Sequence, residues 1–491
     1  MMSTISIAQG SVVLNYIDGK WEKSGATGII DVINPATKEV LGHVAMSGTA
    51  EVEAAVRAAE GVMHQWRTTP PGDRVQYLFG IKQILEDNIN EIARTLVMEN
   101  GKTLAEAKGE LRRAIENVEV ACGIPMLMQG YNLEDIAHGI DEIMIRQPVG
   151  IVAAITPFNF PGMIPFWYLP YAIACGNCFI LKPSERVPMT MQHVFRLMES
   201  LNIPKGVLGL VNGGRETVDA LLDHPKVRAI SFVGSTPVAK YIYSRAAANG
   251  KRVQCQGGAK NHAIVLPDAD LGAASKVVAE SAFACAGQRC LAVSVAITVG
   301  DAGAKFRDAV ADVASSFKVG YGLDEDTRMG PVITEASRSR IEGLISKGSH
   351  DGAKLVRDGR NPRIAKYESG NFVGPTILDD VPAGSELPST EIFGPVLSLV
   401  HASSLEDAIR ILGASEYGNA ASLFTSNGAT ARRFKYAAPA GNIGINVGVA
   451  APIAYFPFSG WKASFFGDLH AQGRDGIEFY TEKKVVVERW S

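Results

Sequence analysis

Cysteine is scarce in this chain. Its six cysteines, at 122, 175, 178, 255, 285 and 290 of 491 residues, are too few to staple so long a chain. That excludes a disulfide scaffold and suits a reducing compartment, the cytoplasm. Histidine is thin as well: the nine are scattered, no two within a helical turn, so zinc-ligand spacings are missing and no metal is expected. Neither sign of charge dominates. The net charge is −3, and no dense Lys/Arg run with interleaved aromatics occurs, so nucleic acid is not an expected partner. The uncharged stretch from Pro148 to Leu181 is long enough to cross a membrane, yet it carries Pro148, Pro157, Pro161, Pro165 and Pro170. Proline removes helix hydrogen bonds and clashes with the preceding turn. The stretch therefore reads as buried strands and loops, and no membrane association is expected. The N-terminal MMSTISIAQGSVVLNYIDGK has no charged residue before Asp18. It lacks the basic start of a signal peptide and the arginines of a transit peptide.

A chain this long exceeds one hydrophobic core, and two or three domains are expected. Residues 50–122 read as helical. Val75, Leu78, Phe79, Ile81, Ile84, Leu85, Ile89 and Ile92 follow helical spacing, and a further helix starts after ENGKT, carrying Glu110, Arg113 and Glu116. From 147 the texture changes to short apolar runs rich in β-branched residues: GIVAAIT (150–156), CFILKP (178–183), VLGLVN (207–212) and AISFVG (229–234). They alternate with helical segments such as ETVDALLDH and PVAKYIYSRAAAN. The alternation argues for βαβ units on a parallel sheet, whose strands are apolar on both faces. A second α/β region begins near 258 with HAIVLP (262–267) and SVAITVG (294–300), and the tail EKKVVVERW reads as one more strand. The fold class is α/β, with breaks at 123–147 and near 257.

A Rossmann-like region should bind a nucleotide, but the G-x-G-x-x-G fingerprint is absent. Instead Gly234-Ser235-Thr236-Pro237 follows a strand and opens a helix. Such a start aims free N–H groups outward and can hold a phosphate; an ordinary strand-to-helix turn has the same look. Lys182 and Glu185, in KPSE, follow another strand end, where α/β sheets bind ligands. The lysine can hydrogen-bond a ribose, and the carboxylate repels a 2′-phosphate, favouring NAD over NADP; as loop charges they need no ligand. ACAGQRCLA (284–292) sets a thiol beside Arg289. Cys175-Gly-Asn-Cys178 has redox C-x-x-C spacing, but Gly-Asn between a helix and a strand is helix-stop chemistry, and these cysteines read as structural.

Taken together, FNFP (158–161), LKPSE (181–185), FVGST (232–236), GQRC (287–290) and EIFGPV (391–396) occur in the order and spacing of the aldehyde dehydrogenase superfamily, and the resemblance spans nearly the whole chain. It implies a Rossmann-like NAD domain (1–123 and 147–257), an α/β catalytic domain (258–472) and a small oligomerisation β-extension (124–146 and 473–491). By resemblance Cys290 is the nucleophile. A thiolate suits attack on an aldehyde carbon. Asn159 and the Cys290 backbone N–H hold the oxyanion, and Cys285 matches no catalytic position. Phe158, Lys182, Glu185, Gly234, Ser235, Glu391 and Phe393 match cofactor-binding positions. Ala239 departs from the glycine of many relatives. The resemblance further implies a homotetramer, a dimer of dimers.

Hydrolytic members carry a glutamate in a motif resembling E-L-G-G-K; here the stretch reads QGGAK, with Gln256 at that position. An amide cannot take a proton at neutral pH, and general-base help is worth about 10²–10⁴-fold. A thiol acceptor would replace water. The missing glutamate, GAKNH (258–262), ITPFNFPGMIP (155–165) and FSGWKASFFGDLH (458–470) resemble the CoA-acylating methylmalonate-semialdehyde dehydrogenases. That branch takes an aldehyde with a β-carboxylate and uses coenzyme A as co-substrate. The acid end requires a cation, and Arg113 and Arg289 match the branch; Arg112, about 100° around the helix, should face elsewhere. On sequence alone the RR pair would read as a solvated face. The alternative is a hydrolytic enzyme giving a free acid, with a base such as Glu482 of YTEKK.

Overall fold

The computed structural model describes residues 11–490. The first ten residues of the N-terminal stretch discussed above lie outside it. Residues 49–122 form four helices, Thr49–Thr68, Pro71–Asp87, Ile89–Asn100 and Leu104–Cys122. The last begins as ENGKT suggests. Thr103 caps it by accepting from Glu106 N–H, and the Glu106 carboxylate accepts from Thr103 N–H (2.8 Å), a reciprocal capping box. The apolar spacing places Val75, Leu78, Ile81, Leu85 and Ile92 in the core, but Phe79 is 51% exposed. It adjoins Leu78, and the 100° turn per residue carries it off the buried face.

Five parallel strands form the centre of the first large sheet, in the order Leu208–Leu210, Cys178–Lys182, Ile151–Ile155, Val227–Val233, Arg252–Gln256. In chain order this is 3-2-1-4-5, the doubly wound arrangement whose ligand crevice lies at the carboxyl ends beside the first strand. Antiparallel Asn15–Ile17 and Lys20–Glu22 extend one edge, and Phe465–Phe466 the other. FNFP, KPSE, GSTP and QGGAK each sit at the carboxyl end of one of these strands. The proline-rich run is divided among Ile151–Ile155, a 3-10 turn, the short helix Leu169–Ala174 and Cys178–Lys182. No helix among the described residues is long and apolar enough to cross a membrane. Gly176, at φ +94°, ends Leu169–Ala174 in the left-handed region that favours glycine. Cys175 and Cys178 around it are free and buried, and burial pushes both thiols up to about 12.

The second large sheet orders Lys354–Arg357, Thr376–Asp379, Val396–Ala402, Val293–Val299, Asn261–Val265, Ala420–Phe424 and Asn442–Ile445, parallel except for the first. Asn261, Val293 and Val396 open their strands at the edge that meets the carboxyl ends of the first sheet. The site lies along this seam. A third sheet pairs Tyr131–Ala137 with Ile140–Pro148, and Ile140–Pro148 with Thr481–Arg489, all antiparallel. Leu133, Val485 and Val487 are exposed on it. The helix Gly473–Tyr480 that precedes its last strand packs on Leu169–Ala174.

Candidate active site

The nucleophile candidate sits in a loop of unusual backbone. After the helix Leu271–Phe283, Cys285 and Ala286 both take φ +52° and Gly287 takes +69°. At Gly287 a Cβ would fall 2.1 Å from the Gly394 carbonyl oxygen, so only glycine lets this loop lie against EIFGPV. The turn then delivers Cys290, whose carbonyl accepts from the side-chain amides of Asn261 (2.9 Å) and Asn419 (2.7 Å). Both donors belong to the amino edge of the second sheet, so the sulfur is fixed to a rigid element. Burial pushes the Cys290 thiol up to about 12, and the neighbouring Arg289 charge pulls it down by less.

Asn159 follows the first strand and is buried. Its amide donates to the Gln288 carbonyl (3.1 Å), two residues before Cys290. Its own carbonyl accepts from Lys102 Nζ (2.7 Å), which also pairs with Glu110 (2.5 Å). That ion pair is sealed from water, with both side chains at most 1% exposed. Glu110 additionally accepts from Gly162 N–H and Met163 N–H. The helix Leu104–Cys122 thus clamps the FNFP loop against the nucleophile loop. A buried pair of this kind adds little net stability, but breaking it strands a charge, at about 3–5 kcal/mol.

Beside Cys290 opens a cavity of about 330 Å³ lined by Arg113, Arg289, Phe160, Trp167, Phe458 and Gln472, among others. The two expected arginines therefore meet at the expected thiol. Arg113 donates to Glu116 (2.7 Å) and to the Pro452 carbonyl (2.5 Å), leaving further N–H groups to spare. Arg112 turns away to Glu119. Cys285, which matches no catalytic position, is buried but also lines the cavity. Two carboxylates line it too, and both are spent. Glu106 takes the N–H groups of Thr103 and Cys285, and Glu110 is locked as above. Gln256 is buried at the end of its strand, its amide donating to the Phe458 carbonyl (3.3 Å). Glu482 lies on the exposed side of Thr481–Arg489, opposite Gln147. Glu216 borders a surface depression with Thr49, and Asp268 accepts from Thr425 and Ser426.

The remaining expected residues gather across the seam. Lys182 pairs with Glu185 (3.1 Å). Gly234 and Ser235 precede the helix Thr236–Ala248, and Ser235 spends no side-chain bond on capping it. Ala239 is fully buried in that helix. Glu391 accepts from Ala259 N–H (2.8 Å), and burial raises its carboxyl. The Phe158 and Phe393 rings meet edge-on at 5.9 Å. Sequence reasoning missed Lys102, Glu106, Gln472 and Lys260. Lys260 is the last residue of QGGAK; its ammonium is buried without a partner, and burial lowers it to about 7. Its only advance signal was its place in that motif. Elsewhere Asp379, Asp380 and His401 cluster, but Arg307 and Lys354 already neutralise them.

The model of the aldehyde dehydrogenase family matches residues 21–486. A malonate-semialdehyde dehydrogenase of Halalkalibacterium halodurans is 46% identical over 99% of this chain and 100% of its own length. A malonate-semialdehyde dehydrogenase 2 of Geobacillus kaustophilus is 48% identical over 97% of this chain and 98% of its own. Among solved structures, a putative methylmalonate-semialdehyde dehydrogenase of Sinorhizobium meliloti complexed with NAD superposes with a TM-score of 0.97 at 44% identity, covering 99% of both chains. A methylmalonate-semialdehyde dehydrogenase of Oceanimonas doudoroffii gives 0.96 at 45% identity, over 98% of this chain and 99% of its own. The chain has the aldehyde dehydrogenase fold and belongs to the aldehyde dehydrogenase family.

Proposed function

We propose that this enzyme is an NAD-dependent, CoA-acylating dehydrogenase of malonate semialdehyde and methylmalonate semialdehyde, releasing CO₂ and acetyl-CoA or propionyl-CoA. The observation that carries the reading is a cavity with two arginines beside Cys290 and no uncommitted carboxylate in its lining. It can receive an acid end, and it has no base to activate water.

In this reading the segments 1–123 and 147–257 bind NAD and 258–472 carry the chemistry. The cofactor side fits a dinucleotide. A Cβ on Gly258 would fall 2.6 Å from Glu391 Oε2, so glycine keeps that oxygen open for a ribose. Lys182 and Glu185 would hold the other ribose, the helix start at Gly234 and Ser235 would face the phosphates, and Phe158 and Phe393 would flank the nicotinamide end. NAD, when bound, supplies the acceptor for hydride.

The Cys290 thiol gives its proton to solvent and adds through sulfur to the aldehyde carbon. The Asn159 amide and the Cys290 N–H hold the resulting oxyanion; one such donor is worth about 2.7–4 kcal/mol of barrier. Hydride leaves the tetrahedral carbon and the C=O re-forms as a thioester on Cys290. Its carbonyl withdraws the electron pair of the β C–C bond, so the carboxylate departs as CO₂ and the α-carbon takes a proton. The thiolate of CoA then attacks the thioester and displaces the Cys290 sulfur. Arg113 and Arg289 bind the carboxylate before it leaves, one of them in two-pronged geometry. The exposed Leu133, Val485 and Val487 support assembly through the segments 124–146 and 473–491 into a homotetramer, a dimer of dimers.

Steady-state NADH formation from both semialdehydes, with and without CoA and with chemical identification of the product, tests the reading. CoA-dependent turnover to a CoA thioester is expected; sustained turnover to a free acid would overturn it in favour of a hydrolytic enzyme.

A further inference from the structure

The cavity contains a residue that neither the motifs nor the mechanism uses. Gln472 sits at φ +73°, ψ 171°, a backbone region that is essentially reserved for glycine. Such a conformation survives only where its surroundings over-determine it, and strained residues of this kind cluster at functional sites. Here three backbone groups at and beside it are pinned. The Ala471 carbonyl accepts from Phe458 N–H (3.0 Å), Gly473 N–H donates to the Ala454 carbonyl (3.1 Å), and the Gln472 carbonyl accepts from Gly476 N–H (3.1 Å). The loop that holds residue 472 is also the loop that Arg113 grips through the Pro452 carbonyl.

This strained backbone places a carboxamide in the cavity wall with nothing to bind. Gln472 is 3% exposed and lines the cavity with Arg113 and Arg289. Its Oε1 is buried without a partner, and its side chain does not cap the helix it precedes. A buried polar group left unmatched opposes folding. Its retention here, on a backbone that also resists the residue, points to a ligand that completes it.

We infer that Gln472 is a specificity-determining residue for the acid end of the substrate, an inference that rests on the function proposed above. A carboxylate offers about four acceptor positions; a two-pronged fork from one arginine fills two, and a single N–H from the other fills a third. The Gln472 carboxamide turns to donate Nε2–H to a remaining carboxylate position, and Oε1 accepts a spare guanidinium N–H. A neutral amide adds recognition without adding a third cation to hold back a carboxylate that must depart.

The test compares kcat/KM for malonate semialdehyde and for propanal, in the presence of CoA and NAD, across wild type, Gln472→Leu and the nearly isosteric Gln472→Glu. Loss of a hydrogen bond to a charged group should lower the semialdehyde-to-propanal ratio about 10–100-fold in Gln472→Leu. Gln472→Glu, which sets like charge against the carboxylate, should lower it further. Both substrates are assayed on one preparation, so partial misfolding cancels in the ratio. A ratio unchanged by both substitutions overturns the inference alone. A wild-type enzyme with no preference for the semialdehyde overturns the functional reading and the inference with it.

Discussion

The two sides of the seam are built differently. The cofactor side is made of contiguous motifs at strand ends, where Gly234, Ser235, Gly258 and Ala259 present backbone and Lys182, Glu185 and Glu391 stand close to their own motif. The acyl side is made of single side chains from distant segments: Arg113 and Glu106 from one helix, Phe160 from the FNFP loop, Cys285 and Cys290 from the nucleophile loop, Gln472 from a turn near the end. Backbone cradles need short local signatures, so one side is visible in a few tetrapeptides. A side-chain cavity needs only the right groups brought together by topology, and its specificity can change by single substitutions.

If that division holds, substitutions on the acyl side change what is transformed and to what, while those on the cofactor side change binding and stability. The largest expected effect is Cys290→Ala, which should abolish NADH formation to background with either semialdehyde; persistent turnover would remove Cys290 from its role. Next is Gln256→Glu. Restoring a carboxylate at the end of the strand Arg252–Gln256 should raise CoA-independent acid release by up to about 10²–10⁴-fold, read as free acid formed per enzyme. Unchanged CoA dependence would count heavily against the missing-base account. Arg113→Leu should raise KM for the semialdehyde far more than for propanal, about 10-fold or more from loss of a charge-assisted bond; equal effects would place the arginine outside recognition.

The smallest effect belongs to Lys260, on the cofactor side. Burial lowers its amine to about 7 from the 10.5 of an exposed lysine. Between those values the unfolded chain binds more protons than the folded one, so this residue makes stability rise with pH across that window. The penalty is full at and below the folded value and fades towards the unfolded one. Lys260→Met should therefore raise the thermal midpoint at pH 6 by several degrees, and by less at pH 10. A gain that does not vary with pH would contradict the buried, unpaired charge.

How much of this could be read from the residues follows the same division. The α/β class, the strands from Ile151 onward, the helix opening at Thr103 and the convergence of Arg113, Arg289 and Cys290 were all legible, because periodicity, capping and family motifs are local. The short strands between residues 11 and 45 were not, since three-residue strands such as Asn15–Ile17 carry too little pattern. Phe79 obeyed the helical spacing and still faces out. Nothing in the sequence marks Lys102 and Glu110 for burial, and only the fold shows them buried, Lys102 against the Asn159 carbonyl. Gln472 precedes a helix like any other loop residue; its strained backbone follows from the hydrogen bonds its neighbours Gly473 and Ala471 make with Ala454 and Phe458, which the sequence does not announce.

The most direct measurement is a single turnover. Enzyme, NAD and malonate semialdehyde are mixed at equal concentrations, quenched in acid and analysed by mass spectrometry of the peptide containing Cys290, with and without CoA. The expected result without CoA is one NADH per active site and an acyl group retained on Cys290, discharged as a CoA thioester when CoA is present. An unmodified Cys290 with rapid release of free acid in the absence of CoA would contradict the account.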